Sequence, residues 1–313
     1  MQTEPKERER VKMIDTVKVS KIDVGKILPG YAELQPGASE KDAIRSWDHC
    51  RSAFAGAASA RFGAAVPLPC RGALGGACGN TCDCTLCGSK CKVCDRFLSL
   101  QLAFYLASFG MYRGSSFLCR FDYTVHLGAV KILMDPSYCR LFSPDLFLTD
   151  RGRYVNLMSE VYKSLLGYYE DIARGVCGAN GKAKHASDTL ITKILLGVYG
   201  SMPAYDSYFR EGIGTVGGTK YIFGSNIDRV LEELADVAAI LMPQITAALS
   251  AACGTWDRCG VYTPMRIVDM VFWKIGETSA VAVGNGGTAA GGGIASSGGT
   301  SGAIGSGSSD ASV

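Results

Sequence analysis

An all-α fold is what the sequence predicts, from three features. Apolar residues recur at i, i+3 and i+4 through most of the chain, alternating runs are nearly absent after residue 38, and the periodic segments start at capping residues and stop at Gly or Pro. No internal repeat interrupts the pattern. The expected architecture is a single multi-helix globular domain of about seven or eight helices, with a Cys-rich insertion and a disordered Gly/Ser carboxy-terminal tail.

Composition sets the outer limits. The 313 residues hold 32 Lys and Arg against 29 Asp and Glu, and 47% are hydrophobic, so the chain has enough apolar surface for a substantial core. A net charge of +3 does not by itself imply a nucleic-acid partner, which is usually signalled by a concentrated basic face. The amino terminus, MQTEPKERERVKM, is charged and lacks the apolar core of a secretory signal, which predicts a cytoplasmic protein. Two uncharged windows, Phe97 to Tyr112 and Val237 to Trp256, raise the question of a membrane span. The first is too short, and the second is largely alanine with Pro243 and Gln244 inside it, so no membrane partner is expected.

The boundaries follow from composition: an arm over 1–38, a helical domain over 39–278 with an Ala/Gly- and Cys-rich insertion at 55–94, and a tail over 279–313. The tail lacks aromatic residues and has one charged side chain, too little to offset its ordering entropy. In the arm, IDTVKVSKIDVGKILPGY alternates weakly and predicts a short strand or an extended segment ending at Leu28-Pro29-Gly30.

Ser39 then reads as a helix cap, with Ile44, Trp47, Arg51 and Phe54 on one side of the helix that follows. Asp95 opens a helix that is apolar nearly all round and is expected to run through Arg113, with Gly114 as its C-cap and Ser115 or Ser116 capping the next. That next helix stops near Met134, at Asp135-Pro136. A long helix carries the stripe Met158, Val161, Leu165, Tyr169 and Ile172. Ser187 or Asp188 can cap the most apolar helix, with Leu190, Ile191, Ile194, Leu195 and Val198 on its buried face. Ile227, Val230, Leu231, Leu234, Val237, Ala238 and Leu241 mark another, which Pro243 kinks or ends. The last helix has Thr263 as cap, Pro264 at its first position and Gly276 as its stop.

The densest chemical signal is CGNTCDCTLCGSKCKVC, containing Cys78, Cys82, Cys84, Cys87, Cys91 and Cys94. Thirteen cysteines in a chain read as cytoplasmic argue for metal rather than disulfides, because closely packed thiolates repel unless a soft cation holds them. Structural zinc is the preferred reading, ahead of an iron–sulfur cluster or an unliganded loop. The spacing fits Cys84, Cys87, Cys91 and Cys94 as one site, Cys78 and Cys82 with Cys91 and Cys94 as another, or all six around two ions.

Two turns have the makings of a phosphate site. Arg113-Gly114-Ser115-Ser116 places a cation beside free amides, and the Gly-containing loop RGVCGANGKAKHAS delivers Lys182, Lys184 and His185 to the start of the helix at 188. Beyond that helix, Ala204-Tyr205-Asp206-Ser207-Tyr208-Phe209 sets Asp206 between aromatic residues, where an acid must be paired or used.

SWDHC, FYLASFGMYRGSSFL, DTLITKILLGVYGSMPAYDSYF and VDMVFWKIG together resemble the signature blocks of a family of uncharacterised bacterial all-helical proteins. The stretch from Asp188 to Arg210, a capped helix followed by Pro203-Ala204-Tyr205-Asp206, is similar to the helix-hairpin-helix DNA glycosylase superfamily. That resemblance implies DNA or RNA as partner and gives Asp206 the role of the aspartate that stabilises the cationic sugar as the base leaves. Lys184, His185 and Ala186 stand where the superfamily's Gly-hydrophobic-Gly hairpin belongs. The expected function is therefore nucleic-acid binding through Arg113, Ser115, Lys182 and Lys184 with Asp206 nearby. The alternative is a non-enzymatic, zinc-stiffened scaffold or regulatory module in which Asp206 is a buried structural acid.

Overall fold

A computed structural model of the chain describes residues 14–28, 43–62, 82–84, 89–91, 95–114, 116–176, 183–217, 226–253 and 262–286. In order, the helices are α1 (Thr16–Val19), α2 (Val24–Ile27), α3 (Ala43–Phe62), α4 (Asp95–Ser108), α5 (Leu127–Leu133), α6 (Leu146–Thr149), α7 (Arg151–Arg174), α8 (Asp188–Tyr199), α9 (Ser207–Thr215), α10 (Ile227–Cys253) and α11 (Pro264–Gly286). Short 3-10 turns join α4 to α5 and α5 to α6. The fold is all-α, apart from a ribbon of two three-residue strands, β1 (Cys82–Cys84) and β2 (Ser89–Cys91), paired antiparallel with Cys82 opposite Cys91. Among the described residues no helix is long and apolar enough to cross a membrane.

Helix α8 lies at the centre, and every residue from Leu190 to Tyr199 is buried. Ser187 is its cap, accepting a hydrogen bond from the Leu190 amide, while Asp188 accepts one from the Tyr162 hydroxyl at 2.5 Å. A helix end buried this deeply must find partners for its last carbonyls. The Trp47 indole donates to the Leu196 carbonyl at 3.0 Å, and Arg51 donates to those of Val198 and Phe142 at 3.3 and 3.1 Å. The periodicity of α3 thus puts a cation at the negative end of α8, where the helix dipole stabilises it. Burial lowers Arg51 to about 10, a value at which it stays charged at neutral pH.

Several elements differ from the sequence expectation. Residues 14–28 are helical rather than extended, because Asp15 and Asp23 each cap a single turn. This part of the arm belongs to the core: Ile14, Val19, Ile22 and Val24 are buried, Gln244 bonds to both Val24 N and Ile22 O at 2.8 Å, and Glu233 accepts from Ile14 N. Helix α3 continues to Phe62, inside the segment read as an insertion, with Ala55, Ala57 and Ala58 buried. Helix α4 stops at Ser108 instead of Arg113. Gly110, at φ 73°, is its C-cap glycine, and the amides of Met111 and Gly110 return to the carbonyls of Leu106 and Ala107.

Helix α10 passes through Pro243 to Cys253, and α11 passes through Gly276 into the segment assigned to the tail, ending at Gly286. The Thr263 cap of α11 is as expected, accepting from Arg266 N at 3.2 Å, and its hydroxyl also donates to the Gly200 carbonyl. His126 is buried between the hydroxyls of Tyr112 and Tyr169, each 2.6 Å from one ring nitrogen, and burial lowers it to about 3, so it is a neutral core residue.

Candidate functional site

The Gly110 cap turns the chain sharply after α4, and the next residues lie beside the start of α8. The result is an open pocket of about 490 Å³ whose polar lining is Arg113, Gly114, Ser116, Lys184, His185 and Ser187. Gly110, Met111, Phe117, Leu118 and Leu190 complete the lining. Two of the four residues expected to contact nucleic acid, Arg113 and Lys184, are thereby brought together. Ser115 and Lys182, the other two, lie outside the described residues, although each adjoins a described segment that leads into the pocket.

The charges around the pocket are unevenly matched. His185 pairs with Glu170 at 3.2 Å, and the other oxygen of Glu170 accepts from the Ala186 amide at 3.1 Å. Among the described residues neither Arg113 nor Lys184 has a carboxylate partner. Arg113 folds over the bare Cα of Gly110, where a Cβ would come within 2.7 Å of its Nε, so the glycine is required for this side-chain position as well as for the turn. Gly114, at φ 61°, leaves open space above its Cα.

Asp206 is not among the lining residues. Its carboxylate caps α9 by accepting from Phe209 N at 3.0 Å, and it lies 3.7 Å from the Lys193 ammonium. Lys193 is 6% exposed, donates to the Phe109 carbonyl at 3.2 Å and sits over the Phe109 ring. Burial holds Lys193 below the usual lysine range, Asp206 and Asp269 draw it back up, and Arg113 adds to the lowering. Asp206, an acid that among aromatic residues must be paired or used, is paired. Lys193 was the missed partner, and its signal was a lone cation in the middle of α8's apolar run.

These contacts make a direct prediction for Asp206→Asn. Asparagine caps a helix about as well as aspartate, so the substitution removes the charge opposite Lys193 and little else. A stability loss of about 1–2 kcal/mol is expected, less than for a fully buried pair because Asp206 keeps some solvent contact. Thermal denaturation checks it, and an unchanged melting temperature would show that the pair carries no weight.

The cysteine site cannot be built from described side chains. Cys78, Cys87 and Cys94 lie outside the described residues, as do the side chains of Cys82, Cys84 and Cys91. Among the described residues no group of three or more His, Cys, Asp or Glu is arranged to hold a metal. Comparison with protein-family models, with curated proteins and with solved structures gives no match.

Proposed function

We propose that this chain is a nucleic-acid-binding protein and that the pocket between the α4 turn and the start of α8 holds a phosphate of the bound strand. The observation that carries the reading is the convergence of Arg113 and Lys184, distant in sequence, on one concavity without a carboxylate partner among the described residues. Phosphate oxygens are the ligand such cations suit, Arg through its planar fork and Lys as a point charge. Ser115 and Lys182, next to these turns in sequence, are the further contacts of this reading. The local likeness to helix-hairpin-helix glycosylases favours nucleic acid over other polyanions. Asp206, engaged as a cap and counter-ion, serves the fold and not base excision.

The test is binding of single- and double-stranded DNA and RNA across a salt series. Affinity is expected to fall linearly on a log–log plot, and replacing Arg113 and Lys184 together with Gln should reduce the slope by about 2, roughly one per cation. Absence of affinity at low salt overturns the proposal. The same reading keeps the Cys-rich run as a structural zinc site, with β1 and β2 setting Cys82 and Cys91 opposite one another. Elemental analysis of anaerobically purified protein is expected to find about one or two zinc ions per chain. Finding no zinc removes that part.

A further inference from the structure

The pocket has two chemically different parts. Arg113 and Lys184 give its lining two cations, while Met111, with the buried Phe117, Leu118 and Leu190, gives it apolar residues. Contact with the backbone of an internal phosphodiester needs no cavity, since such contacts are made from exposed side chains on open surface. A concavity of about 490 Å³ is instead within the range of small-molecule sites. The acids flanking α8's start have other partners, Glu170 in His185 and the Ala186 amide, and Asp188 in Tyr162. The open space above Gly114 lets a ligand approach the backbone there.

Two cations beside apolar lining residues match a phosphate that carries more than one charge and is attached to a flat apolar group. We infer that the pocket takes a nucleotide bearing a phosphate monoester, either the phosphorylated end of a strand or a free mononucleotide. The phosphate sits at Arg113 and Lys184, and the base lies against Met111. The inference rests on this pocket being the site of the proposed function, and it sharpens that reading from any phosphate to a terminal one.

Calorimetric titration of the full chain at low salt tests it, using adenosine 5′-monophosphate, adenosine, inorganic phosphate, and one short single strand with a 5′-phosphate or a 5′-hydroxyl. Adenosine monophosphate is expected to bind at least about tenfold more tightly than adenosine or phosphate alone, and the 5′-phosphorylated strand about tenfold more tightly than its hydroxyl counterpart. Both preferences should disappear in Arg113→Gln and in Lys184→Gln, neither of which is a buried residue. A preference for the mononucleotide with none between the strands supports the pocket assignment and overturns nucleic acid as the partner. Salt-dependent binding of both strands with equal affinity, and no binding of the mononucleotide, overturns this inference and leaves the nucleic-acid reading standing. Failure of every probe overturns both.

Discussion

Replacing Gly212 with alanine is expected to destabilise the chain by about 3 kcal/mol, although alanine is the better helix former by about 1 kcal/mol. Helices α9 and α11 cross backbone to backbone. A Cβ on Gly212 would lie 1.9 Å from the Phe272 carbonyl oxygen, and one on Gly276 would lie 1.9 Å from that of Tyr208. Neither neighbour is a flexible side-chain end that can swing aside. Moving the helices apart would disturb the Phe209–Phe272 and Tyr208–Trp273 ring contacts and the Thr215–Ser279 hydrogen bond. Overpacking therefore outweighs the propensity gain. Denaturant unfolding of Gly212→Ala checks this, and a variant as stable as the parent would show that the crossing has slack.

The same crossing explains why α11 does not end at Gly276. Gly276 has the look of a helix stop, but there it serves close approach, and α11 continues beyond it. Periodicity made the stripes of α7, α8 and α10 legible, because each is long enough to sample several turns. The single turns α1 and α2 sample only one, and their signal was confined to the caps Asp15 and Asp23. At the end of α4, Gly110 and Gly114 both have positive φ, so composition could not choose between them. The return hydrogen bonds to Leu106 and Ala107 select Gly110. Pro243 forgoes one helical bond, and the turn beyond it is kept by buried Ile245 and by Gln244's two bonds to the arm.

Of the candidate site, the residue types were legible and their grouping was only partly so. Arg113 and Lys184 stood out as cations beside Gly-containing turns, but nothing local indicates that the two turns face the same cavity. Asp206 stood out as an acid among aromatic residues. Its partner lies on the preceding helix, and only the reversal of the chain through Gly200 to Tyr205 brings Lys193 to it. Tyr205 N donates to Thr192 Oγ1 at 2.8 Å and Thr189 Oγ1 donates to Tyr205 O at 2.8 Å, so side chains of α8 itself fix that reversal.

Asp269→Ala is expected to cost about 3–5 kcal/mol, the largest effect of any single side-chain truncation proposed for this chain. Asp269 is 5% exposed, accepts from the Ala204 amide at 2.8 Å and pairs with Arg266 at 2.5 Å. It joins the turn after α8 to α11, and Arg266 in turn lies over the Trp47 ring of α3. Removing the carboxylate takes away the hydrogen-bond partner of a buried amide and the counter-charge of a buried guanidinium. The carboxylate also carries a pH dependence. Burial pushes Asp269 up from 3.8 to about 6, against the opposing pull of Arg266. Between those two values the folded chain holds a proton that the unfolded chain has released. This group's contribution to stability is therefore fully present below 3.8 and is lost as pH rises through 6, by up to about 3 kcal/mol. Asp269→Asn cannot titrate. Unfolding measured at about pH 7.5 and about pH 4.5 should thus show the parent gaining stability relative to Asp269→Asn at the lower pH. Parallel pH profiles for the two would mean that the pair stays ionised throughout, with Arg266 outweighing the burial of its partner.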